Sequence, residues 1–184
     1  MPKILRNPSD ELLIARTEAL LKLKFNQELK ELYSIADGVN IDNVTPSGFT
    51  GLVPVYNFLS LYEATKYYKV QIDFDEAFHN WEADYRPGLK LFPFLQSDGN
   101  CYWVDLNEET ENYGKIFWTN TLGDDPDYLF SSLTSMFKTI SDCYNQQIIK
   151  LDNEGYLSCD YEAWGNIAQI NNPTIKYWTP HNKQ

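Results

Sequence analysis

The stretch Leu91–Leu106 constrains the fold most. Two apolar runs, Leu91-Phe92-Pro93-Phe94-Leu95 and Cys101-Tyr102-Trp103-Val104, are rich in strand-forming residues and are joined through a Ser97-Asp98-Gly99-Asn100 turn. Asp-Gly supplies the positive φ angles of a tight hairpin turn, so the segment reads as two antiparallel strands. A third run, Lys115-Ile116-Phe117-Trp118-Thr119, follows Asn112-Tyr113-Gly114. The centre of the chain is therefore expected to be a short antiparallel meander with helices packed on one side of it, an α+β fold.

Charge is the second constraint. Residues 61–128 hold fourteen acidic and five basic side chains, a balance of −9, out of a formal net charge of −11 for all 184 residues. A local field of this sign repels nucleic acid and anionic membranes and steers basic partners. The same charge also serves solubility alone. With only three arginines, none near the aromatic hairpin, the chain lacks the clustered bases that phosphate contacts require. Cys101, Cys143 and Cys159 are an odd, widely spaced set without a Cys-x-x-Cys or His pairing. That argues against a disulfide framework or a zinc site and points to a reducing cytoplasm. The start Met1–Asn7 lacks an apolar signal core.

Helical punctuation brackets the meander. Asn7 reads as an N-cap with Pro8 at the first helical position, leading a helix whose Leu12, Ala15, Ala19, Leu20 and Leu23 recur at helical spacing. Asn26 reads as the cap of a second helix, with Leu29, Leu32, Tyr33 and Ala36 on one face and Gly38 suited to the left-handed position after it. Gly51–Tyr56 reads as an edge strand because of Pro54. Ser60 and Glu63 have capping-box spacing, opening a helix toward Val70, with a further helical piece over Asp73–Trp81. Asp124-Asp125-Pro126-Asp127 reads as the cap of a helix carrying Leu129, Leu133, Met136, Phe137, Ile140 and Tyr144. The expected core includes Leu29, Leu32, Tyr33, Phe94, Trp103, Val104, Phe117, Leu133, Phe137 and Ile140. The organisation expected is a domain over residues 1–150 and a short appendage over 151–184, docked through Trp164, Ile167 and Tyr177-Trp178.

Signatures of catalysis are weak. The histidines are His79 and His181, and no glycine-rich phosphate loop, Gly-x-Ser-x-Gly elbow or His-Glu-x-x-His helix occurs. The acidic pairs are explained by turns and caps, so neither a metal, a cofactor nor an enzymatic activity is expected. Eight acids instead flank the strands: Asp98 and Asp105 bracket the hairpin, Glu108, Glu109 and Glu111 crowd the next turn, and Asp124, Asp125 and Asp127 follow the third strand. Lys115 is the base among them. These acids, with Tyr102, Tyr113 and Trp118 as anchors where exposed, are the expected partner-binding residues.

Over residues 12–145 the chain resembles the Smi1/Knr4 family, or SUKH superfamily. The resemblance rests on Glu28–Gly38, on Leu61-Tyr62-Glu63-Ala64, on the Phe92–Leu106 hairpin and on the Gly114–Trp118 strand. Phe25-Asn26 stands where the family usually has Leu-Pro, and Asp37 where it has Asn before Gly38. The ending Asn172–Trp178 is similar to that of many bacterial members. The resemblance implies a non-enzymatic protein-binding domain, foremost an immunity protein that neutralises a toxin, often a nuclease. A basic toxin domain is then the expected partner. The alternative is a cytoplasmic regulator or scaffold of the fungal cell-wall type.

Overall fold

The computed structural model describes residues 4–40, 53–77, 90–120, 126–153 and 156–179, with the backbone alone for 72–77. Its elements are α1 (Glu11–Leu21), α2 (Gln27–Ile35), β1 (Asn57–Phe58), α3 (Leu61–Ala77), β2 (Leu91–Ser97), β3 (Asn100–Asp105), β4 (Ile116–Thr119), β5 (Asp127–Phe130), α4 (Leu133–Asn145), β6 (Ile149–Leu151), β7 (Leu157–Cys159), α5 (Tyr161–Asn171) and a 3₁₀ turn (Lys176–Trp178). Strands β1 to β5 form an antiparallel sheet in sequence order, and β6–β7 form a separate hairpin. The α+β architecture follows from that arrangement.

The hairpin forms where the Asp-Gly pair places it. Ser97 pairs with Asn100 across a two-residue turn in which Asp98 and Gly99 have φ of 44° and 90°. Both residues being left-handed matches the twist of the strands. A bulge between Pro93 and Leu95 lets Phe92, Phe94 and Leu95 all join the main core, because two residues there oppose one on β3. Phe92, Phe94, Val104, Ile116 and Phe130 are wholly enclosed, together with Leu29, Tyr33, Leu133 and Met136 from the helices. Each such side chain contributes about 1.5–3 kcal/mol relative to exposure. The sheet's other face carries a smaller cluster of Cys101, Trp103 and Phe117, against which Tyr67 of α3 packs with its ring 5.6 Å from that of Trp103.

The helix caps bind the layers together. The Asn26 carboxamide accepts from Leu29 N at 2.9 Å and starts α2. Glu28, in the first turn of α2, accepts from Leu133 N at 3.0 Å and so caps α4 from another element. Ser60 and Glu63 form the expected box, with Ser60 N to Glu63 Oε2 at 2.8 Å and Glu63 N to Ser60 Oγ at 3.2 Å. Asp37 reaches the same helix end, its Oδ1 accepting from Leu61 N at 2.7 Å.

Several sequence expectations are corrected. The N-cap of α1 is Asp10, not Asn7, because the backbone of residues 4–9 is engaged across the molecule: Ser9 N donates to Tyr33 O and Asp37 N to Asn7 O. The inward face of α1 holds Ile14 and Thr17, while Leu12 and Leu20 face solvent. Of the Gly51–Tyr56 strand, residues 51 and 52 lie outside the described residues. Val53–Tyr56 is a tight turn closed by Tyr56 N to Val53 O at 3.1 Å, and the edge strand is Asn57–Phe58. Pro54 thus occupies the second turn position, where its fixed φ fits. The α3 helix runs unbroken from Leu61 to Ala77, and residues 78–81 of the expected second piece lie outside the described residues. Asp127 starts a fifth strand and not a helix. The α4 helix is capped by Ser132, whose box partner is Ser135. Leu32 and Phe137 are partly buried at the margin of the core.

Residues 157–178 pack on the same core. Asp160 caps α5, accepting from Ala163 N at 3.1 Å, and Trp164 and Ala168 are buried in the main cluster. The Asn172 side chain is buried, accepting from Ser131 N at 2.9 Å and donating to Ala168 O at 3.0 Å. The Trp178 indole donates to Leu129 O.

Candidate partner-binding surface

Strand register divides the eight acids between opposite ends of the sheet. Because β4 runs back along β3, with Cys101 facing Thr119 and Val104 facing Ile116, the β2–β3 turn and the C-terminal end of β4 share one end. Asp127, opposite Trp118, is at this end with Asp98. Asp98 is exposed. Asp127 is half-buried and its Oδ1 accepts from Tyr128 N at 2.6 Å. Asp124 and Asp125 lie outside the described residues. Glu108, Glu109, Glu111 and Tyr113 are exposed at the other end, separated from Asp98 by the length of β3, roughly 17 Å.

That second end carries its own counter-charges. Lys24 Nζ lies 2.8 Å from Glu108 Oε1, and Lys90 Nζ 3.8 Å from Glu109 Oε1. The Lys24 hydrogen bond and charge hold the Glu108 carboxyl below its ordinary value, and Lys24 is raised in return.

Asp105 is removed from the expected contact surface, since it has no exposed area. Its Oδ1 accepts from Asn107 N at 2.8 Å and its Oδ2 from the Tyr128 hydroxyl at 2.6 Å, pinning the β3–β4 loop to β5. Burial, then that hydrogen bond to the carboxylate, pushes the Tyr128 hydroxyl far up. Tyr102 is likewise buried, edge-on to Tyr56 at 4.8 Å between ring centres. Burial raises its hydroxyl well above the ordinary value, and the nearby Tyr56, Tyr177 and Tyr161 hydroxyls add to the effect. Trp118 keeps part of its surface in water, donates from Nε1 to the Tyr56 hydroxyl at 2.9 Å, and meets the Tyr177 ring at 6.3 Å.

Two residues that sequence reasoning missed as contacts, one aliphatic and one aromatic, stand at the Asp98 end: pairing of Asn57 with Gln96 carries Val55 there, and the Tyr161 hydroxyl acts on those of Tyr56 and Tyr102. Val55, the third residue of the Val53–Tyr56 turn, has φ of 67° and is 72 % exposed. Tyr161, at the start of α5, is 74 % exposed. The available signals were Pro54, which favours a turn, and the aromatic Tyr177-Trp178 pair. The described segments at this end, residues 53–60, 95–102, 116–120, 126–130 and 157–165, contain no lysine or arginine, and Lys176 adjoins Tyr177.

Among the described residues no three His, Cys, Asp or Glu side chains gather as a metal set. Burial pushes all three thiols up, Cys101 well above its ordinary value and Cys143 to about 12, so they are poor nucleophiles near neutrality. His79 lies outside the described residues. No described helix is long and apolar enough to cross a membrane. Comparison with protein families matches residues 8–139 to the description SMI1 / KNR4 family (SUKH-1). Comparison with curated proteins finds no match.

Proposed function

Because the chain belongs to the SMI1 / KNR4 family (SUKH-1), we propose that it is a protein-binding domain of the immunity type, acting in a bacterial cytoplasm without catalysis of its own. Its partner is a basic toxin domain, a nuclease in the simplest case. The observation that carries this reading is the charge: −9 over residues 61–128. A nuclease cleft is basic because it must hold phosphates, and an acidic, aromatic protein surface satisfies the same field. The described residues up to 150 supply the recognition fold, and residues 156–179 brace it and contribute Tyr161 to its rim.

The test is growth protection. The toxic C-terminal domain encoded by the neighbouring reading frame is expressed with and without this chain, and the purified pair is titrated calorimetrically. Protection with stoichiometric binding supports the reading. Absence of both, with a pull-down dominated by housekeeping proteins, replaces it with the regulatory one.

A further inference from the structure

Val55 is a β-branched residue in the left-handed region, with φ of 67°. Such a conformation is an outlier for this residue type and is retained only where the surroundings over-determine it. A turn with proline second and a positive φ third normally carries glycine there. Val55 gains little packing in return, since 72 % of it faces water. The turn that presents it is well anchored: Tyr56 N closes it onto Val53 O, and the Tyr56 hydroxyl is held by the Trp118 indole.

The neighbourhood supplies the other components of an anchor site. Tyr161 is exposed, its hydroxyl near enough to those of Tyr56 and Tyr102 to act on them, and Trp118 and Tyr177 are partly exposed and in ring contact. Tyrosine and tryptophan offer large contact areas at small entropic cost and dominate binding hot spots. At this end Asp98, Asp127, Asp160 and Glu162 outnumber Lys176, which adjoins Tyr177, whereas Glu108 and Glu109 at the opposite end already face Lys24 and Lys90. An incoming cation therefore meets the less compensated field at the Asp98 end, beside aromatic faces that also attract it.

We propose that the partner is held at the Asp98 end of the sheet, on Val55 and Tyr161 beside Trp118 and Tyr177, and that it contributes a lysine- or arginine-bearing protein segment to this surface. The assignment rests on the toxin-binding reading above and names the face that performs it. The Glu108–Glu111 end then serves the fold, through its ion pairs, and is not the contact.

The experiment uses the full chain and, as probe, the catalytically inactivated toxin domain from the neighbouring reading frame, titrated at physiological salt. Val55→Gly relaxes the left-handed residue, so its Tm holds or rises while affinity falls about 10-fold; Tyr161→Ala weakens binding by about 10-fold or more without a change in Tm. Asp98→Asn, which keeps a residue tolerant of positive φ, slows association. The triple change Glu108→Gln, Glu109→Gln and Glu111→Gln leaves affinity within about twofold. Wild-type affinity in both Val55→Gly and Tyr161→Ala, with loss in the triple variant, overturns the assignment and leaves the toxin reading standing. A wild-type chain that does not bind the probe overturns both.

Discussion

Replacing Gly38 by alanine tests how the first helical pair is joined to the sheet. Gly38 has φ of 80°, and a Cβ there would lie 2.4 Å from Ser60 N and 2.8 Å from Leu59 C and Ser60 Cα. These are backbone atoms, so relief requires the chain at residues 59–60 to move by about 1 Å. That shift strains two bonds: Leu61 N to Asp37 Oδ1 at 2.7 Å and Val39 N to Phe58 O at 2.9 Å. Left-handed strain costs about 1–2 kcal/mol and the two bonds about 1 kcal/mol each, less up to about 1 kcal/mol for the stiffer unfolded chain. The expected loss is about 3 kcal/mol. Gly114 is the control: its φ is 85°, but an added Cβ meets only the Asn26 side-chain nitrogen, at 3.4 Å. Gly114→Ala should therefore cost about 1 kcal/mol, the strain alone less the unfolded-state gain. Urea unfolding of both variants, with m-values unchanged, reads the difference directly. Equal losses, or a larger one at Gly114, would refute the argument from backbone contact.

Other perturbations follow from the hydrogen bonds. Burial opposes ionisation of Glu63, but hydrogen bonds from Ser60 and then Arg6 outweigh it, so its carboxyl sits below the ordinary 4.5. A depressed carboxyl stabilises above its unfolded value and loses that contribution as pH falls through the folded one. The stability gap between wild type and Glu63→Gln, about 1 kcal/mol for a partly exposed group, should be present at pH 7 and shrink below pH 4.5 in denaturant titrations. Asp105→Ala strands Tyr128 and the Asn107 amide and should cost about 2–4 kcal/mol, with amide exchange in residues 107–113 accelerating first. Asn172→Ala leaves Ser131 N without its acceptor, should cost about 2–3 kcal/mol, and should hasten proteolysis within residues 157–178.

What was legible in the sequence was mostly local. The Asp98-Gly99 turn and the Ser60–Glu63 box are decided by neighbours within a few residues, and both form. Asn7 fails as a cap because its carbonyl serves Asp37, thirty positions away. The fifth strand was hidden because Asp-Pro-Asp also fits a helix start, and only pairing of Tyr128 with Phe117 decides between them. The acids were visible as a count, yet their separation into two ends depends on strand register. Burial of Asp105 was half visible: it shares a strand face with Cys101 and Trp103, but its partner Tyr128 arrives from β5. Val55 is signalled only indirectly, by Pro54 before it, since its own turn position ordinarily selects glycine.

The central claim is that one end of the sheet receives a basic protein. The most direct measurement is amide chemical-shift mapping of the isotopically labelled chain titrated with the inactivated toxin domain from the neighbouring reading frame. Changes concentrated at residues 55–57, 97–100, 118–119, 127–128 and 160–162 are expected, with residues 107–113 and Lys24 unmoved. Changes confined to residues 107–113 and the α1–α2 turn would contradict the claim.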